Sequence, residues 1–554
     1  MVVAALSATA AAAADAAGTA GPTVKSAGVG TQAALSSPSC EASTGLTKMN
    51  FTARPQCVRP FRKGEDNGGA TTPGVTKDAV KVVVLVPTAD QQQESAKQPG
   101  ATPPIDQATG AVGVLEDGFR DFFEVYEHWL ETWGRTVRLT FVHPTGADET
   151  AQRADALQIA QMRPFAVIDT GGSYGGGAVF ASVLARDKIV VINSGGDASR
   201  GSNDDAIKQS PYRWGSQDTG IFAINAGEFV AKALAGRKAQ WAGDDSLQAK
   251  TRKLAVVYPT GAGGVDVSRF EEAFETYGGT GSLTTVSYDL GTDPGKIADE
   301  AQRQAPQLIV KVKDSGATSV VLFTDITNMT PAVMKAATSQ EYFPEWIITG
   351  LGFQDIDLVA RLLWPADQTA QVLGVGTSPP YAADGSSANG LETFFRSYWG
   401  DTRGTYAPVA TGIGFLLYSG IQLAGPKLTP ETFRQGAFSM PPAGGAIDGQ
   451  ISNFMLGYGR GAGVPYDQYQ TIGIDYSMKW FDPEAVGVSN LVPGPAAAGK
   501  FVFLNGAERY YAGHWPKGEQ AFFDRSASLV QLESPPPSDA PPNFPCEGCP
   551  SATN

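Results

Sequence analysis

Short valine- and isoleucine-rich runs alternate with amphipathic stretches along most of this chain, and the alternation starts twice. AVKVVVLV, around Val80 to Val86, is a buried-strand run whose branched side chains suit a pleated sheet. Residues 113 to 133 read as a helix. Leu115, Phe119, Phe122, Phe123, Tyr126, Leu130 and Trp133 share one face, and Glu116, Asp117, Arg120, Glu124, Glu127 and Glu131 fill the other. VRLTFV (137–142), FAVIDT (165–170) and KIVVINS (188–194) follow as strands, separated by helices at 151–162 and 178–186. After a helix near 218–235 the pattern restarts with KLAVVYP (253–259). Helices near 266–277, 295–313 and 331–340 then alternate with strands at 283–289, 320–325 and 346–350. Such alternation builds parallel sheets covered by helices on both faces, and a restart implies two of them. The expected fold class is α/β, with two doubly wound parallel-sheet lobes.

The alternation continues after residue 370 with QVLGVGT, a helix at 388–399 and an apolar helix at 407–424. Gly412, Gly414 and Gly420 interrupt that last helix, so it is expected inside a lobe and not across a membrane. Residues 471–483 and 501–512 read as further short strands. Residues 1–78 read as a signal-like and linker segment, and 516–554 as a Pro-rich tail. The formal net charge of −14 lacks the basic footprint that displaces counterions from phosphates, which argues against a nucleic-acid partner. The Ala-, Ser- and Thr-rich start, with A-x-A sites near Asp15, reads as an export signal, although no Lys or Arg precedes Lys25. A disordered Ala-rich tail is the alternative reading. The four cysteines, Cys40, Cys57, Cys546 and Cys549, lie in the terminal segments as disulfide candidates. Pairing Cys40 with Cys57 and Cys546 with Cys549 is one of three connectivities. Cys40 and Cys57 lack the spacing of a zinc knuckle, and Ser37-Pro38-Ser39 is a poor lipid-anchor motif for Cys40.

IDTGGSYGGGAVF (168–180) carries the sharpest question. Gly171, Ser173 and Gly175 fit the G-x-S-x-G turn that exposes a nucleophilic serine in α/β-hydrolases. A strand, a Gly-rich turn and a helix start also make an anion cradle. A hydrolase needs a downstream histidine. Of His128, His143 and His514 only His514 qualifies, and His143-Pro144-Thr145-Gly146 is not a glycine-rich oxyanion loop. No Lys-Ser/Thr follows the glycines, so this is no P-loop, and Pro87 to Asp90 carries no G-x-G-x-x-G. Nucleophile and ligand contact both remain open for Ser173. In open parallel sheets ligands lie outside the C-terminal strand ends. Those ends are Pro87–Asp90, Thr170–Tyr174, Asn193–Gly196, Thr260–Gly264, Thr324-Asp325 and Gly350–Phe353.

From about 80 to 515 the order of these pieces resembles the type I periplasmic binding proteins, in particular the leucine-type, branched-chain amino acid substrate-binding subunits of ABC transporters. GVTKDAVKVVVLVP looks like the opening strand, and FAVIDTGGSYGG with KIVVINSGG like the first ligand-loop pair. SPYRWGSQD looks like the entry to the second lobe. KLAVVYPTGAGGVDVSRFEEAF, SVVLFTDITNMTPAVMKAA, FPEWIITG and YDQYQTIGIDYSMKWFDP look like its later parts.

The resemblance implies a bilobed clamp with a three-crossover hinge, the crossovers lying near 214, 376 and 471. Lobe 1 would be 79–214 plus 377–470, and lobe 2 would be 215–376 plus 471–515. It implies an extracytoplasmic monomer without cofactor or catalytic step, which captures a small ligand and delivers it to an ABC transporter permease. A ligand-sensing receptor domain is the nearest alternative. The implied contacts are Thr88, Ser173, Tyr174, Ser194 and Gly195 from lobe 1, and Tyr258, Asp325 and Phe353 from lobe 2. The chain also departs from the amino acid binders. Gly261 to Gly264 and Asp325-Ile326-Thr327 lack the family's aromatic, and Leu351-Gly352-Phe353 lacks the acid that meets the ligand's ammonium. Asp325 or Asp355 would have to replace it. The resemblance implies a branched-chain amino acid as ligand, and a ligand without an amino group, a carboxylate or a larger apolar metabolite, is the alternative.

Overall fold

The structure is a computed structural model. It describes residues 22–49, 54–91, 115–146, 148–170, 177–193, 212–214, 219–261, 264–291, 296–378, 398–399, 408–439, 443–445, 453–457, 473–474, 476–489, 496–510 and 512–528. A small hairpin, β1 (Cys40–Glu41) and β2 (Leu46–Thr47), precedes a five-stranded sheet. That sheet contains β3 (Ala79–Leu85), β4 (Thr136–Val142), β5 (Ala166–Asp169), β6 (Val190–Asn193) and β7 (Arg213–Trp214). Its order is β4-β3-β5-β6-β7, and every pairing is parallel. An eight-stranded sheet begins with β8 (Leu254–Pro259), β9 (Leu283–Tyr288), β10 (Ser319–Leu322), β11 (Glu345–Ile348) and β12 (Val372–Gly376). Three short strands, β13 (Ala443–Gly445), β14 (Asn453–Gly457) and β15 (Gly473–Ile474), form a separate antiparallel sheet. The second large sheet is completed by β16 (Tyr476–Gly487), β17 (Ala497–Phe503) and β18 (Arg509–Tyr510).

The second sheet runs β17-β16-β12-β11-β10-β8-β9, with β18 paired to β16. It is parallel from β9 to β12, but β16 joins β12 antiparallel and β17 joins β16 antiparallel. The expected doubly wound parallel sheet is thus present as β9-β8-β10-β11-β12, and β16, β17 and β18 extend it by antiparallel pairing. Only a few residues separate β16 from β17, too few for the crossover helix that a parallel neighbour requires.

The helices include α1 (Pro22–Ala27), α2 (Leu115–Trp129), α3 (Glu149–Gln161), α4 (Gly177–Arg186), α5 (Thr219–Phe229), α6 (Val267–Thr276), α7 (Ile297–Asp314), α8 (Met329–Ser339), α9 (Pro408–Ala424) and α10 (Pro430–Ser439). Strand periodicity sorts side chains onto two faces. In β3, Val80, Val82 and Val84 join one core with α2, α9 and α10, whereas Val83 and Leu85 join another with α3 and α4. The second sheet repeats this. Leu254, Val256, Val321 and Ile347 pack with α5 and α6, and Ala255, Val257, Val320 and Trp346 with α7 and α8. None of these cores mixes described residues of the two sheets' halves.

Three details depart from expectation. The helix read over 113–133 ends at Trp129, because Trp133 and Gly134 both take positive φ, at 61° and 75°. Residues 22–49 and 54–78, expected as linker, are folded: Ala27, Met49, Val58 and Val75 are buried in the first core. Cys40 and Cys57 form a disulfide there, and Gln422 Nε2 on α9 donates to Gln56 O at 2.8 Å. Composition masked this, since a few apolar anchors and one covalent link suffice to hold a segment poor in apolar runs. Residues 516–528, expected as tail, also pack: Phe522 is buried against Trp241 and Phe229. Cys546 and Cys549 lie outside the described residues.

Candidate functional site

Numbered by chain entry, the five parallel strands of each half stand in the same order, 2-1-3-4-5: β4-β3-β5-β6-β7 and β9-β8-β10-β11-β12. In such a sheet the chain leaves the first and third strands in opposite directions, and a crevice opens between their C-terminal ends. The crevices lie between β3 and β5 in one half, and between β8 and β10 in the other. Thr88 follows β3, Ser173 follows β5, Tyr258 is the penultimate residue of β8, and Asp325 follows β10. Ser194 and Gly195 follow β6, and Phe353 follows β11, one strand further along each sheet. Ser173, Tyr174, Ser194 and Gly195 lie outside the described residues, as do the loops Gly171–Gly176 and Ala262-Gly263.

Around the first crevice, polar groups are organised by local bonds. The Thr88 N–H donates to Gln91 Oε1 at 2.8 Å, and the Gln91 N–H donates to Thr88 Oγ1 at 3.2 Å. Thr170 stitches β5 to β3, its N–H and hydroxyl donating to Leu85 O at 3.0 and 2.7 Å. His143 places Nδ1 2.9 Å from Val86 O.

Around the second crevice, Tyr258 is half-buried against the core. Thr260 donates through N–H and Oγ1 to Tyr288 O at 2.7 and 3.0 Å. The Tyr288 hydroxyl donates to Phe323 O at 3.2 Å. Burial, and then the nearby Asp325 carboxylate, push that hydroxyl well above the ordinary tyrosine range. Asp325 itself is engaged in a local turn. Oδ1 accepts from the N–H groups of Thr327 and Asn328 at 3.2 and 2.6 Å, and Oδ2 accepts from Met329 N at 3.0 Å. It shapes the entry to α8 in the manner of helix-capping carboxylates.

Asp355 is fully buried and ion-paired with Lys479, and Ser378 N donates to its Oδ2 at 3.0 Å. Both acids named for a ligand ammonium are thus engaged inside the protein. Sequence reasoning missed Lys479, and an interior lysine in the run YSMKWF was the available signal. Burial pulls the Lys479 ammonium below its usual range, and Asp355 acts against that pull. Phe353 closes a short 3₁₀ turn, Leu351–Phe353, entered through Gly350 at φ 79°; its side chain lies outside the described ones.

No protein-family model matches the chain, and no curated protein does. Solved structures do. A putative branched-chain amino acid ABC transporter protein from Rhodospirillum rubrum is 12% identical, with 73% of this chain and 97% of that one covered, at a TM-score of 0.46. A solute-binding protein of an ABC transporter from Rhodopseudomonas palustris BisB5, in complex with 3,4-dihydroxybenzoic acid, is 14% identical, with 76% and 98% covered, at 0.44. An ABC transporter substrate-binding protein from Desulfitobacterium hafniense, in complex with Leu, is 14% identical, with 73% and 97% covered, at 0.41. Within the chain itself, two sheets share one strand order, and the chain passes between their halves three times: after β7, after β12 and before β16. The fold is two α/β halves of one strand order on a single chain. In this fold the two crevices belong to different halves of one chain.

His514, the histidine a hydrolase would use, is exposed and sits on the second half beside Trp515. Ser173 follows a strand of the first. A hollow of about 530 Å³ opens elsewhere, between the C-terminal half of α2 and the start of β4, lined by Phe123, Glu124, Glu127, His128, Val137 and Tyr398. It lies toward the N-terminal end of β4, away from the strand ends that form the crevices. Among the described residues no group of three or more His, Cys, Asp or Glu is placed to hold a metal ion, and no helix is long and apolar enough to cross a membrane.

Proposed function

We propose that the chain is an extracytoplasmic solute-binding protein that captures a small ligand between its two halves and delivers it to an ABC permease. The observation that carries this reading is the repeated strand order, which gives each half a crevice at the C-terminal ends of its first and third strands. The halves are 79–214 with 377–470, and 215–376 with 471–515. Thr88, Ser173, Tyr174, Ser194 and Gly195 contact the ligand from one, and Tyr258, Asp325 and Phe353 from the other. Ligand bonds made to both halves favour a closed arrangement over an open one. The Cys40–Cys57 disulfide supports an oxidising, extracytoplasmic setting.

The engagement of Asp325 and Asp355 supports a ligand that carries a carboxylate and no ammonium, since an ammonium closed in without a partner costs several kcal/mol. The glycine-rich stretch between β5 and α4, with Ser173 in it, suits a carboxylate.

A thermal-shift panel of amino acids, aliphatic and aromatic carboxylates tests this. Binding raises the melting temperature by mass action, carboxylates without an amino group give the larger shifts, and Ser173→Ala weakens the response. A panel with no shift overturns the reading. Labelling of Ser173 by a serine-directed covalent probe would favour the hydrolase instead.

A further inference from the structure

Two of the three passages between the halves leave the second half within a few residues of one buried polar network. The chain departs after Ser378, just beyond β12, and returns at Tyr476, the start of β16. Gly376 pairs with Ser477, and Gly374 with Lys479, so the two ends lie side by side. Lys479 Nζ donates to the Asp355 carboxylate and to Ser378 O, the latter at 2.6 Å. Ser378 N donates back to Asp355 Oδ2 at 3.0 Å. Asp355, Ser378 and Lys479 are all fully buried. Arg509 on β18 adds a second clasp, its Nη2 donating to Thr377 O at 2.8 Å. The first passage is also tied where it lands: Thr219 Oγ1, at the start of α5, donates to Gly264 O at 3.1 Å.

A hinge residue absorbs a change in φ and ψ. Ser378 has its N–H and its carbonyl both committed to one ion pair, and the Thr377 carbonyl is committed to Arg509. Turning either peptide plane would strip a buried charge of a partner, the costliest way to break such a network. We propose that Lys479 and Asp355 are positioning residues that pin the second and third crossings to the second half, so that Thr377, Ser378 and the stretch from Tyr476 to Lys479 move with it as one body. This rests on the two-halved binding reading above, and it adds which side of each crossing is fixed and by which side chains.

Two measurements test the pin. The first is hydrogen exchange on the unmodified full-length chain. Peptides ending at Ser378 and those spanning Ser477 to Lys479 exchange within tenfold of the rates of peptides from β10 and β11, in the core of the second half. Exchange more than tenfold faster than β10 and β11 overturns the proposal. The second is a pulsed electron–electron distance measurement between spin labels at Leu157→Cys on α3 and Val310→Cys on α7, both exposed, in a background carrying Cys546→Ser and Cys549→Ser. The double variant Asp355→Asn with Lys479→Met removes both charges together, so neither partner is left as an orphaned buried charge. Its distance distribution is expected to be at least twice as wide as that of the unsubstituted pair, and Lys479→Arg retains the narrow one. A folded double variant with an unchanged width overturns the pin. If the double variant does not fold, exchange on the unmodified chain decides. The binding reading fails separately, when the parent chain's distances respond to no member of the carboxylate panel, and the width comparison stands in that case too.

Discussion

Glu228 Oε1 accepts the main-chain N–H of Trp515 at 3.1 Å while lying 2.5 Å from Lys232 Nζ. Gly513 N donates to the other carboxylate oxygen, and the side chain is fully buried on α5. One acid thus ties the segment after β18 to the helix where the chain enters the second half, and Trp515 packs on Phe229, Tyr476 and Tyr510. Glu228→Ala leaves two main-chain donors without their acceptor and the Lys232 ammonium without its carboxylate. A loss of about 3 kcal/mol is expected, as for other broken buried pairs, read from urea unfolding. Glu228→Gln retains an acceptor and loses less. Equal, small losses in both variants would show that Trp515 packing alone holds the segment.

The Cys40–Cys57 bridge closes a loop over a sequence separation of 17. Loop-closure entropy for that length is about 3 kcal/mol at 25 °C. The loop carries Met49 in the first core and Leu46 in the small hairpin. The double variant Cys40→Ala with Cys57→Ala, or the parent chain under reductant, is expected to unfold at lower urea by about that amount. The first half's transition should move and the second half's should not. An unchanged midpoint would mean that α1 and the chain near Val58 hold this segment without the bridge.

Much of this architecture is written in periodicity. Val82 and Val84 against Val83 and Leu85 show a strand buried on both faces, which is what a sheet covered by helices on each side demands. The restart at Lys253 gave two sheets for the same reason. Long-range pairings were hidden. Nothing in YSMKWF indicates that β16 runs antiparallel to β12, because a strand buried on both faces has the same composition in either direction. Nothing near Asp355 points to Lys479, 124 positions further on. Asp325 was legible as a residue at a strand end but not as a turn former, since D-I-T-N-M becomes a capping turn only once α8 starts at Met329. The turn with Ser173 stays an expectation drawn from its glycines.

Arg525, in the stretch expected as tail, grips Asp482 with Nε and Nη2, each at 2.7 Å. Burial alone would raise the Asp482 carboxyl, and the guanidinium of Arg525 together with the main-chain N–H groups of Glu484 and Ala485 outweighs it and holds the group below the usual aspartate range. The sign follows from linkage. A carboxyl depressed in the folded state contributes stability above its unfolded pKa, near 4, and loses that contribution as pH falls through the lower folded value. Arg525→Gln is therefore expected to be less stable than the parent at pH 7, with the gap closing as the pH falls below about 4. Urea midpoints at pH 7 and pH 3 check this. A gap that is the same at both would assign the effect to packing.

Gly376 shows how closely β12 approaches the buried pair. A Cβ at this position would collide with the Asp355 carboxylate, which cannot retreat without leaving Lys479 and Ser378 N. Gly376→Ala is expected to cost about 2–3 kcal/mol, the upper part of the range for overpacked sites. Gly352→Ala is the control: its φ is +59° and the space around it is open, so the substitution meets backbone strain alone and costs about 1 kcal/mol. Asp355→Asn does not relieve the clash, because asparagine is as large, whereas Asp355→Ala removes the two nearest atoms, Oδ2 and Cγ, so Gly376→Ala should cost less in an Asp355→Ala background than in the parent. That non-additivity is the decisive reading. Costs that simply add would place the Gly376 requirement in the β11–β12 backbone, away from the Asp355 side chain.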